Sequence, residues 1–179
     1  MSTNFSMRRI NFHRGFSIVE LMVVLAIAGI LVTLAVPSFR DTIDRQKLSA
    51  ASSDLFASVA MARNEAIRRG TRADLQAIGG DWNQGWEIRI PTGATTSDLI
   101  YTHGAIPNGI TIAAASNIGA ILSYTGTGRT RTAGNSQTVV TGNLTISVNT
   151  NGSPHRRLLR INAVGRPLLC NPAIDTTCV

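Results

Sequence analysis

The sequence predicts an α+β fold, with one long N-terminal helix laid on an antiparallel, β-rich C-terminal domain. Three observations carry this expectation. An apolar run without charge, Leu21–Val36, follows three early arginines, Arg8, Arg9 and Arg14. An amphipathic stripe of helical period then continues to Gly70. Beyond Gly70 the pattern changes to short apolar stretches broken by Gly, Asn, Asp and Pro, the texture of closely spaced antiparallel strands.

The chain accordingly divides into a basic opening at 1–15, an apolar helix at 16–36, an amphipathic continuation at 37–70 and a β-rich head at 71–179. From Phe16 to Val36 there are 21 residues, about 32 Å of helix at ~1.5 Å per residue, enough to cross a bilayer core. The arginines before this run place the N-terminus in the cytoplasm by the positive-inside rule and send the remainder across the membrane. A secretory signal shares the basic start, but Pro37 directly after Ala35-Val36 makes a poor cleavage site. Glu20 sits at the start of the run, where a carboxylate carries an insertion penalty of ~3 kcal/mol and calls for a partner.

Pro37 predicts a kink in a helix that passes through it. After it, Phe39, Ile43, Leu48, Ala51, Leu55, Val59, Ala62 and Ala66 form the apolar stripe, with Arg40, Asp41, Asp44, Arg45, Lys47, Asp54, Arg63 and Arg68 off it. The steps do not hold a heptad, so packing on a sheet is expected rather than a coiled coil. Arg68-Arg69-Gly70 is a fitting helix end. The helix thus predicted runs from about Phe16 to Arg69, roughly 80 Å at the usual rise.

Eight strands are expected after it, over 72–78, 85–90, 98–101, 110–114, 120–124, 137–140, 144–148 and 158–163. Trp82 and Trp86, four apart at the mouth of a strand, read as loop anchors in the core, with a ligand platform as the alternative. Cys170 and Cys178 are the only cysteines. Outside the cytoplasm such a pair most simply forms one disulfide, and a loop of about nine residues gives roughly 2.5 kcal/mol in the chain-entropy model.

No chemistry assembles from these residues. His103 and His155 lack the neighbours of a catalytic triad or a metal site and read as solvated surface histidines. Gly126-Thr127-Gly128-Arg129 lacks the lysine and helix of a phosphate loop and reads as a hairpin or loop. Neither catalytic activity, nor a cofactor, nor a metal is expected. The net charge is +7, and from Leu99 onward Arg129, Arg131, Arg156, Arg157, Arg160 and Arg166 face one acid, Asp175. That imbalance fits an anionic partner or simply a solvated surface. On an edge strand, Arg157 and Arg160 would also discourage sheet-to-sheet aggregation.

Gly15-Phe16-Ser17-Ile18-Val19-Glu20 followed by the apolar run resembles the type IV prepilin signature, the class III signal peptide. The resemblance implies cleavage between Gly15 and Phe16 by a prepilin peptidase and N-methylation of Phe16. Glu20 and Pro37 fall in the register where pilins carry these residues, and both are implied in assembly. Glu20 would pair with the N-terminal amine of an adjacent subunit when the helices bundle. "MARNEAIRRG", the Gly85-Trp86 entry to a strand and the ending "INAVGRPLLC", which looks like a final strand, resemble the GspH/FimT family of pseudopilins and minor pilins.

The resemblance implies a type IV pilin-like fold and a non-enzymatic minor subunit of a type II secretion pseudopilus or type IV pilus, serving filament assembly and protein secretion across the outer membrane. It also implies a single-pass protein of the bacterial inner membrane with a periplasmic C-terminal domain. Its partners would be other pilins or pseudopilins and an inner-membrane assembly platform. FimT-like members are associated with DNA binding during uptake through a Gly-Arg-x-Arg motif. Here Gly165-Arg166-Pro167-Leu168 keeps the first arginine and replaces the second, so DNA binding would fall to Arg166 with Arg156, Arg157, Arg160, Arg129 and Arg131.

Overall fold

The computed structural model describes residues 15–131, 139–150, 153–162 and 164–178. The basic opening, with Arg8, Arg9, His13 and Arg14, lies outside them. Helix α1, Ile18–Arg69, is 52 residues long and continuous through Pro37. Ser17 starts it: its Oγ accepts a hydrogen bond from the Val19 amide at 3.3 Å, which gives one orphan amide a partner, and its carbonyl accepts the first regular helical bond, from Leu21 at 3.1 Å. The far end closes with Gly70 at φ +64°. There Thr71 N–H reaches the Ala66 carbonyl and Gly70 N–H the Ile67 carbonyl, each at 3.2 Å. Those two bonds are the Schellman closure, which needs a left-handed residue that only glycine adopts without strain.

The chain forms two compact units, Met1–Phe39 and Arg40–Val179. In the first, the described side chains from Phe16 to Thr33 are all exposed. Among the described residues no helix is long and apolar enough to cross a membrane. The side chains of residues 34–38, of which 34–36 fall in the expected span, are not among those described.

Among the described residues of the second unit, nine strands make two antiparallel sheets. The first has the order β3-β2-β1-β5-β6, from β1 (Ala73–Ala77), β2 (Trp86–Pro91), β3 (Ser97–His103), β5 (Ile121–Tyr124) and β6 (Thr130–Arg131). The second has the order β4-β7-β8-β9, from β4 (Ile110–Ala114), β7 (Gly142–Thr150), β8 (Ser153–Ile161) and β9 (Pro167–Cys170). Leu48, Ala51, Leu55, Val59, Ala62 and Ala66 of α1 share one core with Leu75, Trp86 and Ile88 of the first sheet and Leu144, Ile146 and Leu159 of the second. Sheet packing, not a coiled coil, therefore covers this stripe.

Three expectations are corrected. Phe39 and Ile43 do not belong to the buried stripe: they are 69% and 47% exposed, and burial begins at Leu48. The stripe's steps of three and four hold from Leu48 onward, whereas Ile43 to Leu48 is a step of five that rotates it off the face. The strand expected at 137–140 falls partly outside the described residues, and Val139 and Val140 carry no strand. The two-residue strand β6, too short to show a period of two, was not expected, whereas β9 lies within the ending 161–170 expected to hold a final strand. Lastly, β9 pairs with Leu158–Ile161 of β8, so Arg160 does not guard an edge, while Arg157 lies just before the paired stretch.

Candidate functional site

The N-terminal part of α1 offers one charge, Glu20, in the first helical turn. Its carboxylate has no hydrogen-bond or ion-pair partner among the described residues, and the apolar side chains around it, from Ile18 to Val24, are exposed. A carboxylate in the first turn is favoured by the positive end of the helix dipole. Ser17-Ile18-Val19-Glu20 also has the spacing of a capping box. Here the serine caps the Val19 amide instead and the Glu20 side chain makes no return bond, so the Glu20 oxygens remain available to another molecule. That cap was readable in the sequence from the Ser-x-x-Glu spacing alone.

The six C-terminal arginines do not form one patch. Arg160 and Arg166 line a cavity of about 610 Å³ with Asn143 and Asn162. Arg156 and Arg157 line another, of about 440 Å³, with Arg45. Arg160 is tied down by its Nη1 bond to the Thr177 carbonyl at 2.7 Å. Arg129 sits in the turn between β5 and β6, a hairpin closed by Thr125 and Arg129, as the Gly-rich segment predicts. Gly165 brings Arg166 beside this turn. Its φ is +79°, and a Cβ there would stand 2.3 Å from the Gly128 carbonyl oxygen and 3.3 Å from Arg129 Cα. The buried Tyr124 hydroxyl donates to the Gly165 carbonyl at 3.1 Å, and burial pushes that phenol's pKa well above its ordinary value. Arg131 lies on β6, at the edge of the first sheet.

Both histidines are engaged. His103 stacks on Trp86, with ring centroids 4.1 Å apart and planes within 5°. Its Nδ1–H donates to the Gly104 carbonyl at 2.7 Å, while Nε2 lies 3.6 Å from Asp54. Both correct the expectation of solvated surface histidines. His155, like His103, is half-buried, and its Nε2–H donates to Asp41 Oδ1 at 2.9 Å. Arg45 Nε holds the other oxygen of Asp41 at 2.8 Å. The His155 bond first and Arg45 after it keep the Asp41 carboxyl below its ordinary range. No spacing could have revealed this pair, because its members are 114 residues apart in the chain.

Both tryptophans are buried, and Trp82 Nε1–H donates to the Gly119 carbonyl at 2.8 Å; they anchor the core and form no platform. Cys170 and Cys178 are bonded, with Cα atoms 5.9 Å apart. Among the described residues no group of three His, Cys, Asp or Glu side chains could hold a metal ion.

Residues 51–165 match the family model described as "Type II transport protein GspH". The chain belongs to the GspH family. Residues 10–36 also match the prokaryotic N-terminal methylation motif. GspH-family membership is accompanied by local similarity to pilins of Moraxella. The type IV major alpha-pilin of Moraxella bovis is 40% identical over 47 residues, 26% of this chain and 30% of that protein. Fimbrial protein Q of the same organism is 29% identical over 90 residues, 50% of this chain and 57% of that protein. The chain thus spans about a third to somewhat over half the length of these curated relatives.

Two crystal forms of the Pseudomonas aeruginosa type IV minor pilin FimU share the fold, at 21% identity. One gives a TM-score of 0.56 over 73% of this chain and 92% of that one. The other gives 0.53 over 70% and 94%. The GspH-family head is therefore a type IV pilin-like α+β fold.

Proposed function

We propose that this protein is a non-enzymatic minor subunit of a type II secretion pseudopilus or a type IV pilus, held in the inner membrane by residues 16–36 until a filament assembly platform extracts it. Gly15 and Phe16 flank the point of leader removal by a prepilin peptidase, and Phe16 is the residue whose new amine is methylated. The observation that carries the reading is Glu20, a carboxylate without a partner among the described residues, standing in a run of exposed apolar side chains inside a methylation motif. In lipid a lone carboxylate is costly, and a neighbouring subunit's amine removes that cost only when two helices lie side by side. Assembly and neutralisation of the charge are then one event, which sets the axial register of the subunits. Pro37 adds a place where the helix can bend between its lipid-facing and head-bound parts.

Mass spectrometry of the mature N-terminus tests the first step: methyl-Phe16 is expected, and its loss in Gly15→Ala. Glu20→Val is expected to insert normally in the membrane and to be missing from sheared filaments. A product beginning elsewhere, or a Glu20→Val subunit recovered at wild-type level, refutes the reading.

DNA capture is the second reading, supported by the adjacency of Arg129 and Arg166, whose side chains have no partner among the described residues. Phosphate contacts by a few arginines give weak, salt-dependent binding. Charge reversal at Arg156, Arg157, Arg160 and Arg166 should then abolish retention on DNA; unchanged retention rejects it.

A further inference from the structure

The first cavity lies wholly in the Arg40–Val179 unit, at one end of the second sheet. Asn143 of β7 stands opposite Arg160 of β8, and Arg160 opposite Leu168 of β9. Residues directly opposite in an antiparallel ladder point to the same face. Their chain neighbours Leu144 and Leu159 pair with each other and are fully buried in the core. By the alternation of a strand, the row of Asn143, Arg160 and Leu168 therefore points away from the core. Asn162 and Arg166, in the turn from β8 to β9, line the same cavity of about 610 Å³.

Its walls are held from behind. The Asn117 side-chain amide donates to the Thr141 carbonyl, and the Ala115 amide to the Asn143 carbonyl at 2.9 Å. In the turn, Asn162 Oδ1 accepts from the Val164 and Arg166 amides at 3.1 and 2.9 Å. Arg160 is anchored through Nη1 to the Thr177 carbonyl. A site ordered in this way loses little freedom when a ligand enters.

Its charge is unbalanced. Among the described residues no carboxylate lines it. Asp175, near enough to Arg160 to feel its charge, is turned to its own loop, where Oδ1 accepts from the Thr177 amide and hydroxyl at 2.9 and 2.6 Å. The exposed Arg166 guanidinium and the Asn143 side-chain amide have no partner among the described residues. A guanidinium takes an oxyanion through two parallel bonds. A carboxamide offers both a donor and an acceptor, as a peptide bond requires of its partner. Leu168, 58% exposed, adds an apolar side. No aromatic ring for a nucleobase to stack on is among the lining residues described. The set suits a carboxylate carried on a peptide better than a phosphate chain.

We propose that this cavity docks an acidic segment of a partner protein, with a Glu or Asp carboxylate between Arg160 and Arg166, the segment's backbone on the Asn143 amide and an adjoining apolar side chain on Leu168. The proposal goes beyond assembly through Glu20 and needs neither membrane insertion nor a filament. A contact of this size is far below the roughly 1,000 Å² of a stable interface, so binding is weak and salt-sensitive.

The test is fluorescence anisotropy on the full chain in non-ionic detergent. The probe is a labelled, amidated peptide, Gly-Ala-Glu-Leu-Glu-Ala-Gly, set against its Gln-for-Glu counterpart, decathymidylate and trigalacturonate. The acidic peptide is expected to bind at least about tenfold tighter than the other three, and Arg160→Gln with Arg166→Gln to weaken it about twenty-five-fold, some fivefold per arginine. Because Arg160 also holds the terminal loop, Arg166→Gln alone, at an exposed side chain, is the second variant and should cost about fivefold. Asn143→Ala leaves the charge unchanged and should still cost about threefold. Arg156→Gln with Arg157→Gln removes the same charge from β8 outside this cavity and should leave affinity within about twofold.

Equal binding of the two peptides, equal loss in the Arg156 and Arg157 pair, or no binding at about 1 mM acidic peptide overturns the proposal. Decathymidylate binding as tightly as the peptide would make this a phosphate site, and trigalacturonate an acidic-sugar site; either also overturns it. Glu20→Val should bind the peptide like wild type, so failure of the assembly reading and failure of this one are separately visible.

Discussion

Asp41 accepts from His155 on β8 and from Arg45 on its own helix, so one carboxylate joins α1 to the second sheet. Its pKa is depressed, chiefly by the His155 bond. A group whose folded value lies below its unfolded one stabilises the fold above the ordinary aspartate range, about 4, and that contribution fades as pH falls through the lowered value. Asp41→Asn is therefore expected to lower the melting temperature at neutral pH, and the gap to wild type should shrink well below pH ~4. A gap that persists unchanged in acid would mean that shape, not charge, matters at this position. Arg45, Arg156 and Arg157 are the other charged residues near His155. Gly165 is the other single position with large leverage. An alanine there meets the Gly128 carbonyl, and its left-handed backbone costs a further 1–2 kcal/mol or so.

Helix α1 changes character along its length. From Leu48 onward one face is sealed against both sheets, while Ile43, one step earlier, is half-exposed. This contrast gives a paired test by denaturant unfolding. Leu55→Ala, at a side chain with no exposure, should cost about 2–5 kcal/mol through lost transfer energy and a residual cavity. Ile43→Ala should stay within about 0.5 kcal/mol, as surface changes do. A large loss at Ile43 would show that the chain buries it against something outside itself, as a filament neighbour would. The helix end is equally local in origin: Arg68 and Arg69 bond to Glu65 and sit where the dipole favours cations. Those contacts depress the Glu65 carboxyl, with Arg68 the larger cause.

At the scale of the whole molecule, among the described residues every member of the core lies in the Arg40–Val179 unit and none precedes Leu48. A chain starting at Arg40 is therefore expected to keep the near-ultraviolet circular dichroism of Trp82 and Trp86 and to unfold in one transition. It would also lack Phe16 and Glu20 and should not enter filaments. Loss of the tryptophan signal would show that the core depends on the apolar run. Cys170 and Cys178 close the last strand onto the terminal loop, and reduction should lower stability by about 2.5 kcal/mol on the entropy model. The Arg160 bond to the Thr177 carbonyl fixes the same loop from β8, so part of its order should outlast reduction.

Elements whose signals are local can be read directly from the chain. A run of apolar residues with one acid, a stripe at steps of three and four, and a glycine after two arginines each act within one or two turns of chain. The helix, its end at Gly70 and most strands were legible for that reason, and so was the family signature around Phe16. The remaining features depend on residues far apart in the chain. The Asp41–His155 contact, the interior place of β8 and the division of the arginines between two cavities all follow from strand order, which no local periodicity encodes. Charge could be counted in the sequence; which charges face one another is set by how the sheets close over the helix.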